Sequence, residues 1–188
     1  MDPTADEAIA ATRAWLERAV IGLGLCPFAK AVQVKDQIRY VVSDARNSDV
    51  LLDDLERELL ALAEAPPEEV DTTLLIHPLV LDDFFDYNDF LQVTDELIDA
   101  LGLNGVLQVA SFHPHFQFAD TEPDDITNYT NRSPYPILHL LREDSVDDAV
   151  AAFPEAGEIY EKNIETMQRL GLAGWEALGL ETPSRRKH

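Results

Sequence analysis

A single cysteine, Cys26, stands in a sequence of 188 residues, so no internal disulfide can form. One unpaired thiol suits a reducing compartment and sets the expectation of a cytoplasmic protein. No apolar run reaches the roughly 18 residues that cross a bilayer. The opening MDPTADEAIA has neither the basic nor the apolar region of a signal peptide. Bases are scarce: 14 Lys and Arg stand against 36 Asp and Glu, a formal charge of −22. A field of that sign repels phosphate backbones and anionic headgroups, so neither nucleic acid nor a membrane surface is expected as a partner. Repeats of solenoid period and Gly/Ser- or Pro-rich linkers are also missing. The expectation is one domain over residues 1–180, with a frayed tail at 181–188.

The shortage of bases is local. Residues 58–131 hold no Lys or Arg, yet carry sixteen carboxylates from Glu58 to Asp125. Unpaired carboxylates are costly to bury, so most of these must face water, whether for solubility or to concentrate cations.

What is present is a 46% hydrophobic complement arranged in alternating periods. Helical spacing over residues 5–20 ends at Gly22 and Gly24; IRYVVSD (38–44) reads as a strand; a second helix runs from Ser48 to Pro66-Pro67. TTLLIHP (72–78) reads as a buried strand, 82–101 as a helix before Gly102, and GVLQVASFHP (105–114) and YPILHLLRE (135–143) as strands. Two or three helices close the chain. The order β-α-β-α-β-loop-β predicts an α/β (α+β) fold. Its sheet has about four strands, mixed, with the fourth antiparallel to the third, flanked by N-terminal and C-terminal helices.

Two strands end alike, in Ile76-His77-Pro78 and Phe112-His113-Pro114. In open α/β sheets ligands collect beyond the carboxyl ends of parallel strands, which places His77 and His113 on one candidate rim. His115 adds an imidazole two residues on, on the same side of an extended segment, and Asp120 follows. His113, His115 and Asp120 are candidate ligands for one divalent transition metal (Zn, Mn or Fe), with His77 as a fourth ligand or catalytic general base. The opposing reading makes His113 a strand-end hydrogen bonder and His115 an exposed loop residue.

The 20-residue loop HFQFADTEPDDITNYTNRSP is either functional or conceals an element. It ends at Arg132, the first base after the acidic stretch, expected to be held by a loop carboxylate such as Asp120 or to grip an anionic substrate. Ser133 and Tyr135 would lie beside it as substrate-binding residues. Asn131, Cys26 and His139 are candidate pocket-lining residues. His139 shares a face with Ile137 and Leu141, where a buried structural imidazole is the plainer reading. Cys26-Pro27-Phe28-Ala29 resembles the C-P-F-C of glutaredoxins, but Ala29 replaces the second cysteine.

Taken together, GLCPFAK, SFHPHFQFAD and NYTNRSPYPILHLLRED resemble a bacterial domain-of-unknown-function family, number 1415, over essentially the whole chain. The resemblance implies one complete domain and carries no activity. The residues themselves suggest a metal-dependent hydrolase acting on a small anionic molecule, with a metal-bound water as nucleophile. The alternatives are a non-catalytic small-molecule or metal-binding module and, more remotely, a thiol-redox protein using Cys26.

Overall fold

The computed structural model describes residues 1–180; the expected tail at 181–188 lies outside the described residues. Helix α1 (Ala5–Trp15) starts at a capping box, in which the Glu7 amide donates to Thr4 Oγ1 and the Thr4 amide to Glu7 Oε2. The chain then continues as a π-helical turn, Leu16–Ile21, where the periodicity predicts a plain helix. Its widened hydrogen bonds, Gly22 N to Glu17 O and Leu25 N to Val20 O, bring backbone close to backbone. A Cβ at Gly22 would run into the Arg18 carbonyl. A short helix that the pattern does not predict, α2 (Ala29–Val34), follows Cys26-Pro27-Phe28.

Strands β1 (Ile38–Val42), β2 (Thr72–Ile76), β3 (Leu107–Phe112) and β4 (Ile137–Arg142) form one mixed sheet in the order β1-β2-β4-β3. Between them lie α3 (Ser48–Glu64) and α4 (Phe84–Ala100), capped by Asn47 and Asp83. Helices α5 (Glu143–Ala152) and α6 (Ile159–Glu176) close the described chain. Gly171, at φ 67°, breaks the path of α6.

Strand β1 is parallel to β2, and β4 is antiparallel to both β2 and β3. The fourth strand is therefore inserted between the second and third. Those two still point the same way, but they do not touch.

Alternation along the strands divides the core between two faces. Leu75, Leu107, Leu138 and Leu140 pack against Leu51, Leu55, Leu59 and Leu62 of α3 and Tyr87, Phe90 and Ile98 of α4. Leu74, Ile76 and Ile137 turn the other way, toward Trp15, Leu16, Ala19, Val20, Met167 and Trp175. Helices thus cover both faces. Among the described residues, no helix is long and apolar enough to cross a membrane. Of the sixteen carboxylates in the base-free stretch, all but Glu58, Asp71 and Asp125 are exposed. Glu58 is buried beside the Arg39 guanidinium at 3.1 Å.

Tyr87 ties α4 to the sheet. Its hydroxyl donates to Ile137 O at 2.6 Å and accepts from Phe112 N at 3.1 Å, in a fully buried position. Tyr87→Phe leaves both backbone groups without that partner. We expect a loss of about 1–3 kcal/mol in urea unfolding with an unchanged m-value, the scale for orphaned buried polar groups.

Candidate functional site

The two strand-end histidines share one rim, on either side of β4. His77 N donates to Pro136 O and His113 N to Asn131 O, and both imidazoles lie against the Tyr87 ring, with centroids 5.9 and 4.9 Å away. Neither is exposed, and Phe84 packs against His113 from the other side. Their nitrogens are largely committed. His113 Nε2 lies 2.9 Å from Leu81 O and can only donate there, while its Nδ1 accepts from His115 N at 3.0 Å. His77 Nδ1 likewise donates to Val80 O at 3.1 Å; its Nε2 is buried without a hydrogen-bond partner. Using His113 as a metal ligand would require giving up one of its backbone bonds. His115 is exposed next to it, at 5.9 Å between ring centroids, and Asp120 is exposed on the loop beyond. Among the described residues, no group of three or more His, Cys, Asp and Glu is arranged to hold a metal ion.

The long loop contains a missed element, a 3-10 turn at Ile126–Asn131. Asn128, which the sequence reading did not single out, is its hub. The fully buried amide accepts from Phe118 N and Thr121 Oγ1 and donates to Glu122 O. Arg132 is held neither as an ion pair with Asp120 nor toward an open rim. Its Nε donates to Phe116 O at 3.1 Å and Nη2 to Pro123 O at 2.6 Å, with the guanidinium 4.4 Å above the Tyr129 ring. Planar donors suit carbonyls that the folded-back loop leaves without amide partners. Asn131 Nδ2 donates to Ser111 O, and the buried Ser133 hydroxyl to Tyr135 O. Tyr135 packs in the apolar cluster with Trp15.

Cys26 and His139 lie elsewhere. They line a partly open cavity of about 330 Å³ on the α1 face of the sheet. Trp15, Leu16 and Val20 of the first helical stretch, Phe28 and Val32 around α2, and Val146 and Ala149 of α5 form its walls. Leu74, Ala110, Phe112 and His139 form its floor, and the pairing of His139 with Leu74 on one side and Ala110 on the other fixes that surface. Polar groups gather at one end: Asp71 and Thr72 at the start of β2, Gln108 at the start of β3, and Ser145 at the start of α5. Ser145 Oγ donates to Asp71 Oδ1 at 2.6 Å. His139 Nε2 and Thr72 Oγ1 are 2.7 Å apart. These polar groups sit toward the opposite end of the sheet from His77 and His113. The signal available in the sequence was small: one imidazole in an otherwise apolar alternation, cross-strand from Ala110.

Burial lowers the imidazoles of His77, His113 and His139 to about 4. For His77 and His113 a neighbouring imidazole pushes the same way, and bonds to carbonyls oppose it.

This is an α/β sheet protein with a small-molecule-sized apolar cavity on one face. The chain matches the family model described as protein of unknown function (DUF1415) over residues 7–177, and it belongs to that family. No curated protein and no solved structure matches it.

Two outcomes follow from this geometry. Arg132→Lys keeps the charge but not the fork to two carbonyls, and should cost about 1–2 kcal/mol in chemical denaturation; Asp120→Asn, at an exposed site, should stay within about 0.5 kcal/mol. The three imidazoles make stability depend on pH. Unfolded histidines take up protons below pH 6.5, and the native ones resist until about 4. Their contribution is therefore complete above pH 6.5 and is lost as pH falls toward 4. Each imidazole adds a slope of about 1.4 kcal/mol per pH unit in that window. Urea titrations between pH 7 and 5, where most carboxylates stay ionised, measure it; a flat profile there contradicts the burial of neutral imidazoles.

Proposed function

We propose that this protein is a small-molecule-binding module whose ligand occupies the cavity between β2, β4, β3 and the α1, α2 and α5 walls. The observation that carries the reading is the unfilled volume of about 330 Å³ over a well-packed sheet face. Ligand pockets begin at about 300 Å³, and a dry apolar void of about 150 Å³ already accepts benzene. A metal-dependent hydrolase at the strand ends has less geometric support. His77 and His113 are sealed from solvent, and the hydrogen bonds of His113 already use both ring nitrogens. Arg132 gives its Nε and Nη2 to loop carbonyls, which lends less support to a role as anion anchor. A redox role for Cys26 lacks a second thiol, since it is the chain's one cysteine.

Ala110 faces the cavity from the middle of β3. Benzothiophene, an apolar bicyclic probe, should raise the melting temperature in proportion to its occupancy of the native state. Ala110→Leu should abolish that shift. It should also leave the unliganded melting temperature unchanged or about 2–4 °C higher, because the added methyl groups enter empty apolar space. A variant that melts normally and still responds to the probe places the binding somewhere else.

A further inference from the structure

We infer that the ligand of this cavity is a neutral, largely apolar molecule that presents a hydrogen-bond donor to Nδ1 of His139. The inference rests on the binding reading above and adds to it the chemistry of what binds.

A count of protons assigns the tautomer. Thr72 has one hydroxyl proton, and its oxygen lies 2.6 Å from the carbonyl oxygen of Leu140, a distance that requires a proton between them. The same hydroxyl lies 2.7 Å from His139 Nε2. With its proton already on Leu140 O, Thr72 must accept from the ring, so Nε2 carries the hydrogen. Nδ1 then holds a lone pair, and no protein donor meets it among the described residues. The residue lines the cavity, and its partial accessibility reflects that wall. A neutral imidazole fixed in this tautomer is an acceptor built into an apolar floor.

Two of the remaining polar groups, Asp71 and Ser145, reinforce the preference, while the buried Trp15 Nε1 on the wall is a donor that meets no hydrogen-bond partner among the described residues. Among the described residues that line the cavity, Asp71 is the one charged side chain and none is Lys or Arg. The Ser145 proton is directed to Asp71 Oδ1, so that pair also presents mainly lone pairs. An anion would meet a carboxylate and an imidazole lone pair with no cation to offset them. A donor-bearing neutral molecule meets acceptors. At the far end, Trp15 and Phe112, in edge contact at 5.1 Å, offer aromatic surface to an apolar body.

Indole and benzothiophene differ in the group at issue: the first has an N–H where the second has sulfur. Calorimetry on the full chain should give indole an affinity about five- to tenfold above benzothiophene, the range for one net hydrogen bond. Benzoate, of similar girth but anionic, should bind at least tenfold more weakly than indole. His139→Gln keeps a donor for Thr72 and exchanges the fixed ring acceptor for an amide oxygen. His139→Phe removes donor and acceptor together. His139→Phe should bring the indole-to-benzothiophene ratio to about one, and His139→Gln should lower it by less. In the unmodified protein, the N–H proton resonance of indole should move downfield on binding, a readout that does not depend on either variant folding. Equal affinities for the two probes, a ratio unchanged in the variants, or tighter binding of benzoate overturns the donor inference and leaves the cavity reading intact. Failure of both bicyclic probes to bind overturns the cavity reading with it.

Discussion

The insertion of β4 between β2 and β3 is the constraint on which the rest depends. Two strands that point the same way cannot be neighbours here, because an antiparallel strand occupies the space and satisfies the ladder on both sides. That arrangement makes two different ends. At the carboxyl ends of β2 and β3, the returning chain enters through Pro136, and His77 and His113 flank it under the ring of Tyr87. At their amino ends, the outgoing half of β4 brings His139 and Leu141 beside Thr72 and Gln108. One end closes over its imidazoles. The other leaves an imidazole facing a cavity.

The chemistry of the two ends follows from where hydrogen bonds are available. The strand-end prolines, Pro78 and Pro114, stop the ladder and leave nearby carbonyls to be satisfied by side chains. His77 answers Val80 and His113 answers Leu81, so both act as buried neutral donors. Arginines serve carbonyls in the same way: Arg132 inside the long loop, and Arg142 at Ala65 O and Val70 O where α3 runs into β2. A chain with so few bases uses these two on backbone, while its carboxylates are mostly left to water. The acidic surface is thereby separated from the interior. Asp54 and Glu58 are the buried exceptions, paired with Arg57 and Arg39.

The strands and the long helices were legible because their signals are local. A period of two at Ile137–Arg142 and a period of 3.6 from Ser48 need no knowledge of neighbours. The antiparallel pairing of β4 with β3 also followed from the lack of a helix between them. Its insertion beside β2 did not, since partner choice across a gap of some sixty residues leaves no mark on either segment. Helix α2 escaped because six residues after Cys26-Pro27-Phe28 are too few for a periodic signal. The long loop advertised itself by length, and Asn128 then proved to organise it through contacts between residues up to ten apart. Among candidate site residues, the paired His-Pro motifs signal a place in the fold but not a bonding pattern. Shared position at a rim was readable; what each ring nitrogen bonds to was not, because Leu81 and Val80 belong to a turn with no such pattern. His139 read as core for a sound reason, its apolar alternation. The void beside it is a property of four elements at once.

That void is the point at which stability and fit pull apart. Alanines from three separate elements face it: Ala29 of α2, Ala110 of β3 and Ala149 of α5. Packing to ordinary interior density would favour a larger side chain at one or more of these positions, since each added methylene placed in apolar space contributes about 0.8 kcal/mol. The opposite face shows that this chain can do so, with Leu51, Leu55, Leu59, Leu62, Leu75, Leu138 and Leu140 all fully or almost fully buried. The same sheet, with the same strands, is thus filled on one side and left open on the other. The open side is also where the π-helical turn departs from regular helix, carrying Leu16 and Val20 into the wall. Such turns cost hydrogen-bond geometry and recur at functional sites. Small residues on two walls and the floor, an irregular helix on a third wall and a polar group fixed in one tautomer on the floor are separate departures from the most stable packing. They converge on one volume, and the binding function proposed above gives them a common reason that packing for stability alone does not.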